Sequence, residues 1–277
     1  MLTVMPLGGE ERMVATPNEQ VQQQASLFDA SSRDYRLSQL LETPLNFCEH
    51  QIKFTQAEAQ LIHFEAKWIT GDEAHSPVTK CGLLSSQMKN VIIKPTLLDR
   101  PLVMALKTPL CVPPRSKLSV MCARPLAFEV IATDGEHPLT MWTTTTTRLR
   151  STSYGHITEP MICYYWVSDV SETIPEGNQV LVPIEVCNQS KESVEFKKLT
   201  LYRDYLQLYR DHHVFVTNQL QVLISSPTEA YIEYGDTPSA DYHDAKLIYE
   251  SSQRQQGVLR RISRFIGKRG TGIEYGF

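Results

Sequence analysis

Apolar and polar residues alternate with a period of two through much of the chain. Leu61-Ile62-His63-Phe64-Glu65-Ala66-Lys67-Trp68 carries a polar residue at every second position, the pattern of a half-buried strand. Val91-Ile92-Ile93, Leu102 to Leu106 and Leu118 to Cys122 are shorter β-rich pieces. Pro95, Pro101, Pro109, Pro113, Pro114 and Pro125 separate them, and each piece is too short for a core helix. Leu126 to Thr133, the turn pair Asp134-Gly135 and Met141 to Leu149 predict a hairpin. Its return strand holds five consecutive threonines, whose β-branching disfavours helix and suits a pleated surface. That reading is preferred to a phosphorylation cluster.

Further strands are predicted at Ile162 to Val167 and, after the turn Glu176-Gly177-Asn178, at Val180 to Val186. Pro183 in the latter implies an edge or a bulge. Val194 to Leu201, Val214 to Val216 and Leu220 to Ile224 complete the set. Short strands broken by turn signals every ~8–12 residues predict an all-β fold. The expected body spans residues 44–245 as one or two antiparallel β-sandwiches, in one lobe or two. Residues 1–43 are polar and of low complexity around Asn18 to Gln24. They predict a mobile N-terminal extension with a short helix near Ser32 to Leu41, ended by Thr43-Pro44.

Beyond residue 245 the period changes. Val258, Leu259, Ile262, Phe265 and Ile266 fall at i, i+1, i+4, i+7 and i+8, one helical stripe, which Gly267 and Gly270 would stop. Residues 246–277 therefore read as a basic amphipathic helix and tail. Charge sharpens this. Residues 251–277 hold six bases (Arg254, Arg260, Arg261, Arg264, Lys268 and Arg269) against Glu274 alone, while the other 250 residues carry 21 bases against 30 acids. An acidic body with a basic end predicts an interaction surface at those six bases.

With 42% hydrophobic residues among 277, the composition excludes collagen, a long coiled coil and a wholly disordered chain. No run approaches the ~18 apolar residues of a spanning helix. The first residues do not read as a secretory leader, so a soluble, cytoplasmic protein is expected. Cysteines at 48, 81, 111, 122, 163 and 187 show neither Cys-x-x-Cys nor a nearby His at ligand spacing. Reduced thiols are expected rather than a structural zinc.

Candidate chemistry is sparse. Asp241-Tyr242-His243-Asp244 holds divalent-cation ligands, yet a polar loop with Asp244 capping a following helix is the preferred reading. His212 and His213, on a strand, would point to opposite faces, and a surface turn is favoured. Tyr164-Tyr165-Trp166 is either a stacking platform or, preferably, a core strand. Gly267 to Gly272 follows a helix pattern, the wrong context for a phosphate cradle. No nucleophile elbow, phosphate loop or dinucleotide turn occurs. Accordingly no catalytic residue, metal or cofactor is assigned.

Tyr154-Gly155 followed by Ile162-Cys163-Tyr164-Tyr165-Trp166-Val167-Ser168 resembles the central block of a prokaryotic family, Domain of Unknown Function 432. Ile184 to Asn188 leading to Lys198-Leu199-Thr200-Leu201 and Leu206-Gln207-Leu208-Tyr209 is similar to a second block. Gly272-Ile273-Glu274-Tyr275-Gly276-Phe277 is similar to its ending. The resemblance spans roughly residues 45–277 and departs at Tyr164, where the family pattern carries Arg. It implies no activity or cofactor. Because genes of that family lie beside small mechanosensitive channels, it implies a membrane channel as partner. The expected function is a non-catalytic interaction or regulatory module with a protein partner and no specific nucleic acid. The alternatives are an enzyme of unknown reaction class, or a binder of anionic surfaces, membrane or nucleic acid, through the C-terminal helix.

Overall fold

Alternating and β-branched segments become strands almost throughout a computed structural model that describes residues 33–69, 77–156, 159–170, 179–227, 229–251 and 258–259. In chain order they are β1 (Arg33–Arg36), the one-turn helix α1 (Leu37–Leu40), β2 (Leu45–Phe47), β3 (His50–Glu58), β4 (Leu61–Trp68), β5 (Val78–Ser85) and β6 (Asn90–Thr96). Then come β7 (Leu102–Val112), β8 (Ser116–Pro125), β9 (Ala127–Thr133), β10 (Pro138–Thr145), β11 (Arg150–His156) and β12 (Glu159–Ser168). The remainder are β13 (Gln179–Asn188), β14 (Val194–Leu201), β15 (Gln207–Asp211), β16 (Val214–Thr217), β17 (Leu220–Ser226), β18 (Glu229–Tyr234), β19 (Lys246–Glu250) and β20 (Val258–Leu259).

Four sheets result. Two are antiparallel, in the orders β1-β6-β9-β10 and β2-β3-β4-β5. The other two are mixed, which corrects the expectation of purely antiparallel sandwiches. β12 runs parallel to β7 in the sheet β11-β12-β7-β14. In the largest sheet β13 runs parallel to both β16 and β17. One buried apolar cluster, from Leu37 to Tyr234, draws on all four sheets.

β13 is the axis of the largest sheet. β8 pairs with it along its whole length, from Gln179↔Pro125 to Asn188↔Ser116. Its other edge is shared, β16 taking Val180 and Leu181 and β17 taking Ile184 to Asn188. Pro183 thus lies in a central strand rather than at an edge. It is tolerated because Val182 and Pro183 face the break between β16 and β17, where a missing N–H breaks no ladder bond. Asn218 fills that break and is fully buried. Its amide donates to the carbonyls of Tyr205 and Gly235 at 3.0 and 2.7 Å, and its oxygen accepts from Gln207 N–H at 2.8 Å. A Cβ on Gly235 would sit 3.1 Å from the Gln219 carbonyl, so the close approach needs glycine. Asn188 serves likewise at the far end of β13. Buried, it donates to Val112, Pro113 and Glu192 carbonyls and accepts from Ser190.

The predicted hairpin is β9–β10. Asp134 closes it by accepting from the N–H groups of Glu136 and His137, with Gly135 at φ 111°. The threonine run enters the core, with Thr144, Thr145 and Thr146 all buried. Prolines prove weaker boundaries than expected, since Pro95 and Pro109 lie inside β6 and β7.

Both ends differ from expectation. Arg33 to Arg36 pair with β6 as a strand, leaving a helix of only Leu37–Leu40, whose two leucines are buried. Residues 1–32 lie outside the described residues. The C-terminal helix is corrected where it can be followed. Lys246 to Glu250 pair with β15, and Val258–Leu259 pair with Ile232 and Glu233 of β18. There the ladder groups of β15 and β18 offer bonds that outweigh a helical stripe of apolar residues. Ile262, Phe265 and Ile266 fall outside the described residues.

His50 couples two sheets. It is 1% exposed and stacks on Trp68 at 3.9 Å. Its Nε2 reaches the Thr145 carbonyl at 3.2 Å and the Thr144 hydroxyl at 2.6 Å, while Nδ1 has no partner. Burial pushes its pKa down to about 4, only partly opposed by the Thr145 carbonyl. The folded pKa lies below the unfolded value, so stability is full above about pH 6.5 and falls as pH drops toward 4. Urea melts of the wild type against His50→Phe should show their stability difference shrinking across that window by up to about 3 kcal/mol. A difference independent of pH would contradict a neutral buried imidazole.

Candidate functional site: an arginine-lined cleft

Arg124 is the one charged residue in the otherwise apolar stretch Val120 to Phe128. Strand pairing fixes it opposite Val180 of β13. One residue earlier, the Ala123 carbonyl accepts hydrogen bonds from Trp166 Nε1 at 3.0 Å and Ser168 Oγ at 2.8 Å. These bonds pin β12 across β8. The Arg124 side chain is 1% exposed, and burial holds its pKa down at about 10, so it stays a cation at neutral pH. Its Nη1 donates to the Pro125 carbonyl at 3.3 Å, whereas Nε and Nη2 have no partner among the described residues.

Arg124 lines a cleft with Arg100 and Arg203. Arg203 stands in a 3-10 turn, Arg203–Tyr205, directly after β14. Its guanidinium covers the Tyr249 ring at 5.4 Å, bonds the Tyr249 hydroxyl and approaches Glu129 at 3.7 Å, with Nε unpartnered. Glu129 also pairs with Lys94 at 3.4 Å. Arg100, exposed, sits over the Tyr164 ring at 5.8 Å. Burial and the Asp99 carboxylate push the Tyr164 phenol up to about 12. Leu97, Leu98, Leu102, Leu201 and Leu206 complete the wall. The cleft holds about 210 Å³ of free space counting its open mouth.

The residues singled out in the sequence fall elsewhere. Arg254, Arg260, Arg261, Arg264, Lys268 and Arg269 lie outside the described residues, as does Gly267 to Gly272. Asp241 to Asp244 form an exposed turn, where His243 lies 3.1 Å from Asp244 and from the Ala240 carbonyl. A strand follows it, so Asp244 caps no helix. His212, at φ 48°, and His213 make the β15–β16 turn. No group of three or more His, Cys, Asp or Glu among the described residues is placed to hold a metal ion. All six cysteines are free thiols, Cys122, Cys163 and Cys187 buried.

The aromatic strand is neither a full core strand nor an open platform. Trp166 and Tyr164 are half-buried against the core, while Ile162 and Val167 are 59% and 48% exposed. Sequence reasoning missed the three arginines. The signal for Arg124 was present, a lone cation in the otherwise apolar stretch Val120 to Phe128. Arg100 and Arg203 had none, because only the fold brings the starts of β7 and β15 to the end of β8.

The described residues thus form a β protein with a basic cleft where the β7–β14 sheet meets the end of β8. The family described as Protein of unknown function (DUF432) matches residues 35–266, and the chain belongs to it. No curated protein and no solved structure matches it. Among the described residues no helix is long and apolar enough to cross a membrane.

Arg124→Met tests the burial of an unpaired charge. Exchanging it for an apolar side chain of similar length should stabilise the protein by about 1–3 kcal/mol in denaturant melts at low ionic strength. A loss of several kcal/mol would mean that the guanidinium is fully paired in the folded state.

Proposed function

We propose that this protein is a non-catalytic interaction module of the cytoplasm. The chemistry of the cleft wall carries the reading. Three guanidiniums and five leucines line it. Guanidiniums donate hydrogen bonds and hold charge but do not exchange protons at neutral pH. Such a wall recognises an acidic, partly apolar group. General acid–base chemistry calls instead for a group that titrates near the working pH.

The uneven charge supports a second contact of the same sign. The six bases from Arg254 to Lys268 and Arg269 stand against a body with an excess of nine acids, which favours an acidic protein partner held by the C-terminal segment.

The test uses the full chain with Arg260→Glu, Arg261→Glu and Arg264→Glu combined, followed by affinity capture and quantitative mass spectrometry. The melting temperature should stay within about 2 °C of the wild type. A partner recovered with the wild type should be lost. Undiminished recovery of the same partner would overturn the role of the segment.

A further inference from the structure

We propose that the arginine cleft is a binding site for a single oxyanion group, carboxylate or phosphate, carried on a small apolar stem and gripped by Arg124. The proposal rests on the reading of the cleft as a recognition surface and names what it recognises.

The free edge of Arg124 is its strongest support. In a guanidinium, Nε–H and the Nη2–H on the same side point in parallel, the pair that meets two oxygens of one carboxylate or phosphate. Here that pair has no partner among the described residues while Nη1 is used by Pro125. Buried charged donors left unpaired cost far more than buried apolar groups, and a ligand oxyanion would satisfy both at once. No carboxylate among the described residues lies within ion-pair distance of Arg124. Glu129 is shared between Arg203 and Lys94, and Asp99 is engaged with the Tyr164 phenol.

Two further cations reinforce the site. Arg203, held by Tyr249 and Glu129, keeps a buried Nε with no partner among the described residues and adds positive charge to the wall. Arg100 stands exposed over Tyr164, where it can close over a bound group. The leucines exclude water, and in a low-dielectric wall charge-assisted hydrogen bonds gain strength.

Size limits what fits. The cleft's roughly 210 Å³, counting its open mouth, takes a single head group with its stem against the leucines near the mouth. A nucleotide or a folded partner's surface is too large to be held this way.

The experiment titrates the full chain with sodium butyrate and, separately, inorganic phosphate, against sodium chloride at equal ionic strength, reading melting temperature and calorimetric heat. At least one anion should give a saturable rise above the chloride control, and the arm that responds identifies the head group. Arg124→Met should abolish the rise. Arg124→Lys, which keeps the charge but loses the fork, should bind at least about tenfold more weakly. No saturable response to either anion, or an undiminished response in Arg124→Met, would overturn the site. Failure here with partner loss still seen in the charge-reversal variant removes the cleft ligand alone. A response here with undiminished partner recovery removes the C-terminal contact instead.

Discussion

A guanidinium buried with no carboxylate partner among the described residues is the constraint around which the junction of the sheets is organised. Arg124 pairs with Val180 near one end of a ladder that runs the full length of β13, so it cannot leave the interior without breaking the longest pairing among the described residues. The neighbouring Ala123 carbonyl receives Trp166 and Ser168, which brings the β12 sheet against the β8 edge. Arg203 then links the end of β14 to Tyr249 of β19 and to Glu129 of β9. Strands from three sheets meet within reach of one unfilled hydrogen-bonding edge. The arrangement costs folding energy wherever the edge stays empty. Retaining it fits a role in binding better than one in stability.

Strands with strong local pattern were legible from the sequence. β4 and β14 begin and end where alternation and turn signals placed them, and the β9–β10 turn follows from Asp134-Gly135. What alternation cannot encode is partner choice and direction. The parallel pairings of β13 with β16 and β17, and of β12 with β7, depend on residues far apart in the chain. Pro183 shows the limit clearly. Local rules put proline at an edge, but the break filled by Asn218 makes a central position tolerable. Val258-Leu259 shows the converse, since a helical stripe yields to an open strand edge.

The site was legible only in fragment. A lone Arg in the apolar stretch Val120 to Phe128 is a visible anomaly, yet its meaning depends on whether the fold supplies a carboxylate. Among the described residues none pairs with it, and two more arginines line the same cleft. Tyr164 belongs to the same lesson. At the position where the family resemblance carries Arg, this chain has an aromatic ring covered by Arg100, so positive charge lies beside that position from another part of the chain.

Nitrogen-15 NMR of the arginine side chains tests the central claim most directly, because each Nε–H reports its own hydrogen bond. The Arg124 Nε–H should exchange with solvent far more slowly than exposed arginines. Addition of the responding oxyanion should move its resonance downfield and saturate with the calorimetric binding curve. An Arg124 Nε–H that exchanges as fast as those of surface arginines and keeps its shift at saturating anion would contradict the account.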